Sequence, residues 1–197
     1  MSRLSHATMK SSSPVLQKLN LGCGTHIKEG WVNLDSAPLP GVDIVHDIEN
    51  LPLPFADNSF DEVLCNDILE HVEYIPVLKD ILRILAPGGA VHIRVPHFTS
   101  RNNYGDPTHK KRFCVSTFDF FVRGTHMGRK RGYYFDFAFS TIASVRIDFD
   151  YTSSRLFFYN RLVEYLVNRK PRYQELYEMT GFCYLFPARN IEITLVK

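Results

Sequence analysis

The sequence lacks any uninterrupted hydrophobic run long enough to cross a bilayer, although hydrophobic residues make up 45% of its 197 positions. A spanning helix needs roughly 20 consecutive apolar residues, so we predict no membrane span. Residues 1–14 also lack the apolar centre of a signal peptide and are interpreted as a disordered lead-in. Residues 15–197 are numerous enough to bury one core, which predicts a single domain.

Cysteine is scarce, and its spacing excludes two kinds of cysteine-based scaffold. The four cysteines lie far apart and form neither zinc-type pairs nor a disulfide framework: Cys23, Cys65, Cys114 and Cys183. This pattern favours a reducing, cytoplasmic location. Carboxylates and histidines elsewhere are able to hold a divalent ion, but no spacing demands one, and we predict no metal site.

Net charge is also small, at +2, but the charges are unevenly placed. Residues 97–134 contain eight Lys or Arg against two Asp, a local charge of +6 that leaves −4 on the remainder. Such a segment favours an anionic partner or substrate, and an ordinary solvated basic loop explains it equally well.

Short apolar runs that end in glycine or acidic residues alternate with a segment of helical spacing in the first half. The predicted strands are residues 15–22, 31–35, 42–48, 60–67, 90–97, 144–151 and 190–197. Helices are predicted over residues 68–85, ended by Pro87-Gly88-Gly89, and over residues 156–169. This order predicts an α/β fold with a Rossmann-like, doubly wound, mostly parallel seven-stranded sheet and helices on both faces. Residues 98–141 lack a clean period and are predicted to form an insertion, or lid, on the acceptor side after the fifth strand.

A glycine loop follows the first strand and is expected to hold a ligand at the carboxyl ends of the strands. Gly22 and Gly24 allow a tight turn and bring the backbone close to a ligand. A dinucleotide fingerprint would need a third glycine where Ile27 stands, and no Lys-Ser/Thr pair marks a phosphate loop. NAD and ATP therefore fit poorly.

Four motifs in order resemble those of class I S-adenosylmethionine-dependent methyltransferases, of the type 11 kind and especially its small, glycan-associated members. They are LNLGCG, NLD, HDIENLPLPFADNSFDEVLCNDILEHV and LRILAPGGAVHIRVP, and they cover residues 18–96 closely. The chain departs from the family in its first helix, which is reduced to about one turn, THIKEGW.

The resemblance implies S-adenosylmethionine as the cofactor and assigns its binding to the glycine loop and the following strand ends. Gly22 to Gly24 would line the methionine moiety, Asp35 would bind the ribose hydroxyls, and Asp47 would accept from the adenine amino group. The full implied set is Gly22, Cys23, Gly24, Asp35, Asp47, Ile48 and Asn66, the last through its backbone.

Methyl transfer to an alcohol needs a base, commonly a histidine or a carboxylate. Two groups of residues qualify: Asp67, Glu70 and His71 after the fourth strand, and Asp106 with His109 in the DPTH segment. A structural role for His71 is equally compatible with the motif. In the DPTH segment, Asp106 as a turn cap and His109 bonded to a backbone carbonyl form the alternative.

The acceptor is the least constrained part of the prediction. Our first hypothesis is O-methylation of a sugar hydroxyl on a glycan or glycoconjugate, because the insertion is rich in aromatic rings that stack on sugars. Phosphate on such an acceptor would meet the basic residues. RNA methylation through residues 109–134 is one alternative. A non-catalytic cofactor-binding partner subunit is another, and the oligomeric state is open.

Overall fold

The computed structural model describes residues 17–151 and 158–197, so the predicted lead-in lies outside the described residues. A seven-stranded sheet has the order β3-β2-β1-β4-β5-β7-β6. Its strands are β1 (Gln17–Leu21), β2 (Val32–Asp35), β3 (Ile44–Val45), β4 (Phe60–Asn66), β5 (Leu85–Pro96), β6 (Thr141–Asp148) and β7 (Asn190–Val196). Strands β1 to β5 pair in parallel, and β7 runs antiparallel to both β5 and β6. The predicted mostly parallel, Rossmann-like sheet of seven strands is confirmed.

The helices are α1 (Tyr74–Ile84), α2 (Asn102–Gly105), α3 (His126–Arg131), α4 (Asn160–Val167), α5 (Pro171–Met179) and α6 (Phe182–Leu185). Three short 3-10 helices span Leu69–His71, Val115–Phe121 and Gly132–Tyr134. None of these helices has the length and apolar character that crossing a bilayer would require. The described part of the predicted helix 156–169 corresponds to α4, and α5 was not predicted.

The first predicted long helix, residues 68–85, needs a correction at both ends. A 3-10 turn and extended backbone at Val72 precede α1, and α1 ends at Ile84. The Pro-Gly-Gly sequence does not cap this helix, because residues 87–89 already belong to β5. There the backbone passes close to β4: a Cβ on Gly89 would lie 3.0 Å from the Asp61 carbonyl oxygen. Glycine is needed at this irregular pairing, where β4 and β5 shift register.

The two faces of the sheet differ in burial. Side chains alternate along a strand, and on one face Val63, Val91 and Ile93 are fully or almost fully buried in one core with Leu78 and Ile81 of α1. On the opposite face the alternate residues are half-buried or, for Arg146, exposed, and they are largely polar. They line an open cleft: Leu64, Asn66, His92, Arg94, Arg146, Glu192 and Thr194. The described residues contain no helix between β1 and β2 or between β2 and β3. The prediction of helices on both faces of the sheet is therefore not met in these two connections, residues 22–31 and 36–43.

The insertion, residues 98–141, packs against α1 through its aromatic rings. Phe113, Phe118 and Phe121 are buried and surround the ring of Tyr74 at centroid distances of 5.2–6.5 Å. These rings belong to the core and are not available to a ligand. Exposed rings in the insertion are Tyr104, Tyr133 and Tyr134.

The outer edge of β6 is closed by side-chain amides that follow α4. The Asn168 side chain accepts from the Ile147 N–H at 2.8 Å and donates to the Ile147 carbonyl at 2.8 Å. Gln174 of α5 donates to the Val145 carbonyl at 3.0 Å. These bonds satisfy backbone groups of an edge strand that would otherwise be unpaired.

Candidate functional site

The glycine loop turns directly after β1 and is tied to the end of β2. Gly22 has a positive φ of 68°, and its N–H and that of Cys23 donate to the Leu34 carbonyl at 2.9 and 3.0 Å. The Gly24 N–H donates to the Asp35 carboxylate at 2.7 Å. All three N–H groups are thus engaged within the protein. The loop offers a ligand close approach to its backbone, and it does not offer free N–H donors.

Asp35 and Gly24 fit the ribose end of the expected cofactor. The Asp35 carboxylate accepts from Gly24 N–H and from Ala37 N–H at 2.9 Å, one bond on each oxygen. A carboxylate has about four lone-pair sites, so capacity remains for two ligand hydroxyls. A Cβ at Gly24 would meet no atom within 4 Å, which shows open space beside this carboxylate.

A buried amide network replaces the missing first helix. Asn20 donates to the His26 carbonyl at 2.9 Å and to the Asn33 side chain at 3.0 Å. Asn33 in turn accepts from the Lys28 N–H at 2.9 Å and donates to the Lys28 carbonyl at 3.0 Å. Residues 24–31 form turns held by these amides, where about one helical turn was expected. The sequence reading missed this role, for which two asparagines inside apolar strands were the available signal.

The remaining expected cofactor residues lie along neighbouring strand ends. The Asp47 carboxylate is exposed and accepts from the Glu49 N–H at 2.9 Å, so it caps a turn after β3. Ile48 is 5% exposed and packs in the core. Asn66 is the last residue of β4 and pairs with Arg94. Asp47 keeps lone pairs for an adenine amino group, whereas the Ile48 side chain is already committed to packing.

Gly22 provides a test of how tightly the loop is packed. A Cβ there would lie 2.5 Å from Cγ1 of Ile68, whereas a Cβ on Gly30 would meet nothing within 4 Å. Both glycines have positive φ, so alanine at either position should cost about 1–2 kcal/mol of backbone strain. Gly22→Ala should add roughly 1–3 kcal/mol from crowding. Urea unfolding of both variants measures the difference, and equal destabilisation would mean that the loop does not press on Ile68.

A second group of polar residues lies just beyond β4 and joins it to the insertion. We call it the acid–histidine cluster: Glu70, His71, Asp106, Thr108 and His109. The Lys110 and Lys111 N–H groups both donate to the Glu70 carbonyl, at 2.7 and 3.1 Å. These bonds hold the DPTH segment against the 3-10 turn, and the rings of His71 and His109 meet edge to face at 4.6 Å. The two candidate base regions therefore form one site.

Hydrogen bonds fix the orientation of His71. The Thr108 hydroxyl lies 2.6 Å from Asp106 Oδ1 and 2.8 Å from His71 Nδ1. An ionised carboxylate only accepts, so the hydroxyl proton points to Asp106 and His71 Nδ1 must donate. This leaves the lone pair on His71 Nε2. Asp106 also accepts from the Thr108 N–H at 2.9 Å, so it does cap a turn, and bonds from Thr108 lower the pKa of its carboxyl.

Glu70 and His109 are buried without hydrogen-bond partners. Both Glu70 carboxyl oxygens and His109 Nδ1 lack a partner, and the Glu70 side chain is fully buried. His109 Nε2 lies 4.0 Å from Glu70 Oε1 and 3.7 Å from Asp106 Oδ2, which is beyond hydrogen-bond distance. Burial raises the pKa of Glu70 to about 8, and burial followed by the neighbouring His109 lowers that of His71. The expected alternative, His109 bonded to a backbone carbonyl, is not found.

The glycine loop and the acid–histidine cluster lie at the same end of the sheet, where β1 and β4 end. Strand β1 pairs with β4 up to Leu21 and Cys65, and Gly22 contacts Ile68, whose carbonyl accepts from the His71 N–H. Between them Asp67 has a positive φ of 54° and is bonded to Arg94 through Nε at 3.0 Å. Such a conformation is unusual for a residue other than glycine and often marks a functional site. In the sequence, Asp67 was one of the candidate acids after the fourth strand.

Comparison with known proteins finds similarity to methyltransferases within the first half of the chain. Residues 23–93 match the family described as a methyltransferase domain. An uncharacterised protein of Methanocaldococcus jannaschii is 51% identical over 45 residues, which are 23% of this chain and 20% of that protein. A demethylmenaquinone methyltransferase of Listeria welshimeri is 39% identical over 64 residues, 32% of this chain and 27% of that enzyme. The chain thus matches only about a quarter of the length of these relatives.

Solved structures extend the likeness to the whole fold. A SAM-dependent methyltransferase from Archaeoglobus fulgidus superimposes with a TM-score of 0.56 at 18% identity, over 93% of this chain and 87% of that one. The YcgJ protein from Bacillus subtilis superimposes with a TM-score of 0.54 at 14% identity, over 95% and 94%. The predicted fold is confirmed at this level, while the small, glycan-associated kind of methyltransferase stays a prediction. Residues 23–93 therefore match a methyltransferase domain, in a chain whose fold is similar to that of solved S-adenosylmethionine-dependent methyltransferases, enzymes that use S-adenosylmethionine as their cofactor.

Proposed function

We propose that this chain transfers a methyl group from S-adenosylmethionine to a hydroxyl oxygen, and that the acceptor is a sugar of a glycan or glycoconjugate. The observation that supports this reaction is that the acid–histidine cluster and the glycine loop follow the carboxyl ends of neighbouring strands, β4 and β1. A hydroxyl acceptor must lose a proton during transfer, and this cluster supplies two imidazoles and two carboxyl groups within a few ångströms of one another.

The cofactor supplies a methyl group on a positively charged sulfur. As the acceptor oxygen bonds to the methyl carbon, the carbon–sulfur bond breaks, leaving a methyl ether and S-adenosylhomocysteine. The acceptor proton passes to an imidazole nitrogen of the cluster. The fixed tautomer of His71 leaves Nε2 as its basic nitrogen, and the ring of His109 contacts that of His71 at 4.6 Å. Asp35 and the glycine loop orient the donor, which is the larger part of catalysis for an in-line displacement.

The proposal of a sugar acceptor is supported by the exposed aromatic rings of the insertion. Tyr104, Tyr133 and Tyr134 are 73%, 76% and 51% exposed, and flat aromatic faces suit sugar rings. The names of the curated relatives do not point to a sugar, and one of them names demethylmenaquinone. That match covers 27% of the enzyme, so its acceptor is not carried over to this chain.

RNA as acceptor receives less support, because several of the basic side chains are paired. Lys111 bonds to Glu73 at 2.6 Å and Lys110 lies 3.5 Å from Glu49, which neutralises part of the HKKR sequence. Arg129 and Lys130 on α3 are exposed and remain the better site for a phosphate group on the acceptor. A non-catalytic partner subunit is disfavoured, since such a role gives no reason for two buried, unpartnered ionisable groups at the acceptor side.

The proposed binding of S-adenosylmethionine is tested by a substitution at Asp35. Calorimetric titration with S-adenosylhomocysteine should show one site, and Asp35→Ala should weaken binding by roughly 1–3 kcal/mol because the ribose hydroxyls lose a charged acceptor. Glu29→Ala, an exposed carboxylate in the same connection, should bind as wild type does. NAD should not bind.

Two outcomes of the same titrations would contradict the proposal. Wild-type protein that does not bind S-adenosylhomocysteine overturns the proposed function. Asp35→Ala that binds normally moves the ribose contact to another residue. Because Asp35 also holds Gly24 and Ala37, thermal unfolding must show that the variant is folded at the titration temperature.

A further inference from the structure

Unpartnered polar atoms are concentrated in the acid–histidine cluster. Among the described residues, five buried side-chain nitrogen or oxygen atoms lack a hydrogen-bond partner, and three of them belong to Glu70 and His109. Buried polar groups are nearly always hydrogen-bonded in native proteins. The two unpartnered Glu70 oxygens, one of them 4.0 Å from His109 Nε2, indicate that a polar or charged ligand normally lies between these side chains.

The side chains around this space are donors of the kind that transition metals prefer. Glu70, His71 and His109 each present one ligand atom, and the three atoms lie within 4.8 Å of one another. Ligand atoms around a tetrahedral zinc ion, bound at about 2.0–2.1 Å, lie roughly 3.3 Å apart. Glu70 Oε1 and His109 Nε2 are 4.0 Å apart, so small side-chain rotations would bring them to that spacing.

Hydrogen bonds already fix one imidazole in the tautomer that a metal-bound histidine has. His71 donates through Nδ1 to Thr108, which donates to Asp106, so Nε2 carries the free lone pair. Metal-bound histidines commonly donate their other ring N–H to an oxygen that fixes the tautomer. Two imidazoles and one carboxylate with open positions suit Zn²⁺ or Fe²⁺, whereas Mg²⁺ prefers oxygen ligands alone.

We propose that Glu70, His71 and His109 form a binding site for a divalent transition-metal ion, with Zn²⁺ as the first probe. The site itself stands on the geometry of these three residues. Its role rests on the proposed function: a cation here would polarise an acceptor hydroxyl and make its proton easier to remove. The sequence reading predicted no metal, because the ligands come from two distant segments that only the fold brings together.

Direct metal binding tests this proposal without an acceptor. The full chain is stripped with a chelator and titrated with Zn²⁺ by calorimetry, and with Co²⁺ followed by its visible absorption. We expect one ion per chain and Co²⁺ bands typical of mixed nitrogen and oxygen ligands. Mg²⁺ should give no comparable heat.

Three variants and one control assign the ion to the site. His109→Ala and Glu70→Gln should each weaken Zn²⁺ binding by more than about 100-fold, because even outer-shell partners contribute 10–100-fold. Thr108→Val keeps the side-chain shape but loses the hydroxyl, and should weaken binding by about 10–100-fold. His126→Ala removes an exposed histidine of α3 and should bind like wild type.

Each outcome decides the proposal. It is overturned if the wild-type chain binds no Zn²⁺ or Co²⁺ at this stoichiometry, or if Glu70→Gln and His109→Ala bind as wild type does. Circular dichroism of the stripped variants separates lost ligands from lost folding, and Glu70→Gln is chosen because the amide has nearly the shape of the buried carboxyl and should not unfold the chain. S-adenosylhomocysteine titration of the same samples separates this proposal from the proposed function. Cofactor binding without metal binding would refute the metal site alone.

Discussion

His109→Ala should lower kcat for hydroxyl methylation by about 10²–10⁴-fold, the usual contribution of a positioned acid–base group. His109 is nearly buried in the acid–histidine cluster, and its imidazole has no structural hydrogen bond to lose. The loss is expected whether the ring takes the acceptor proton itself or holds a cation that acidifies the hydroxyl. Steady-state kinetics at saturating cofactor measure it, and S-adenosylhomocysteine affinity should stay unchanged.

The controls for this prediction are chosen from the same chain. His126→Ala should retain wild-type kcat because that residue is exposed on α3. His71→Ala should lose activity to a similar degree, since the two rings are in contact and act in one site. Normal turnover by His109→Ala together with inactive His71→Ala would place the base on the 3-10 turn after β4 alone.

Glu70→Gln should stabilise the chelator-treated protein at neutral and alkaline pH. The Glu70 carboxyl is fully buried without a partner, and burial raises its pKa from 4.5 to about 8. Between these two values the unfolded chain releases the proton while the folded chain retains it, so wild-type stability falls as pH rises. One pKa unit corresponds to about 1.4 kcal/mol, which makes the total on the order of 4 kcal/mol at pH 8.

Denaturant unfolding at several pH values measures this effect. The stability of Glu70→Gln should match that of wild type near pH 4 and exceed it increasingly up to pH 8. Glu73→Gln is the matched control, because its carboxylate is 65% exposed and pairs with Lys111 at the surface. Parallel curves for wild type and Glu70→Gln would mean that the carboxyl ionises normally in the fold.

The strands and the glycine loop could be predicted because their signals are local. Gly22, Gly24 and Asp35 mark a strand end, a tight turn and the next strand end within seventeen residues of sequence, Leu19–Asp35. The split of the first long helix was missed because apolar spacing continues through Val72. Pro76 was the overlooked signal, since proline is tolerated in the first turn of a helix and here lies in the first turn of α1.

The acid–histidine cluster could not be assembled from the sequence. Its members come from the turn after β4 and from the insertion, which the fold brings together through the backbone bonds from Lys110 and Lys111 to Glu70 and the bond between Thr108 and His71. Helix α5 was missed for a different reason: its apolar and polar residues do not separate cleanly into faces. Pro171 at its start was the one available signal.

The closed edge of β6 also limits how chains of this protein associate. At the opposite edge β3 pairs over only two residues, so neither end of the described sheet presents a long row of free backbone groups. Assembly by strand addition is thereby disfavoured at Val145 and Ile147 of β6. Because two amides, Asn168 and Gln174, provide this protection, local opening of α4 and α5 would expose an eight-residue template for aggregation.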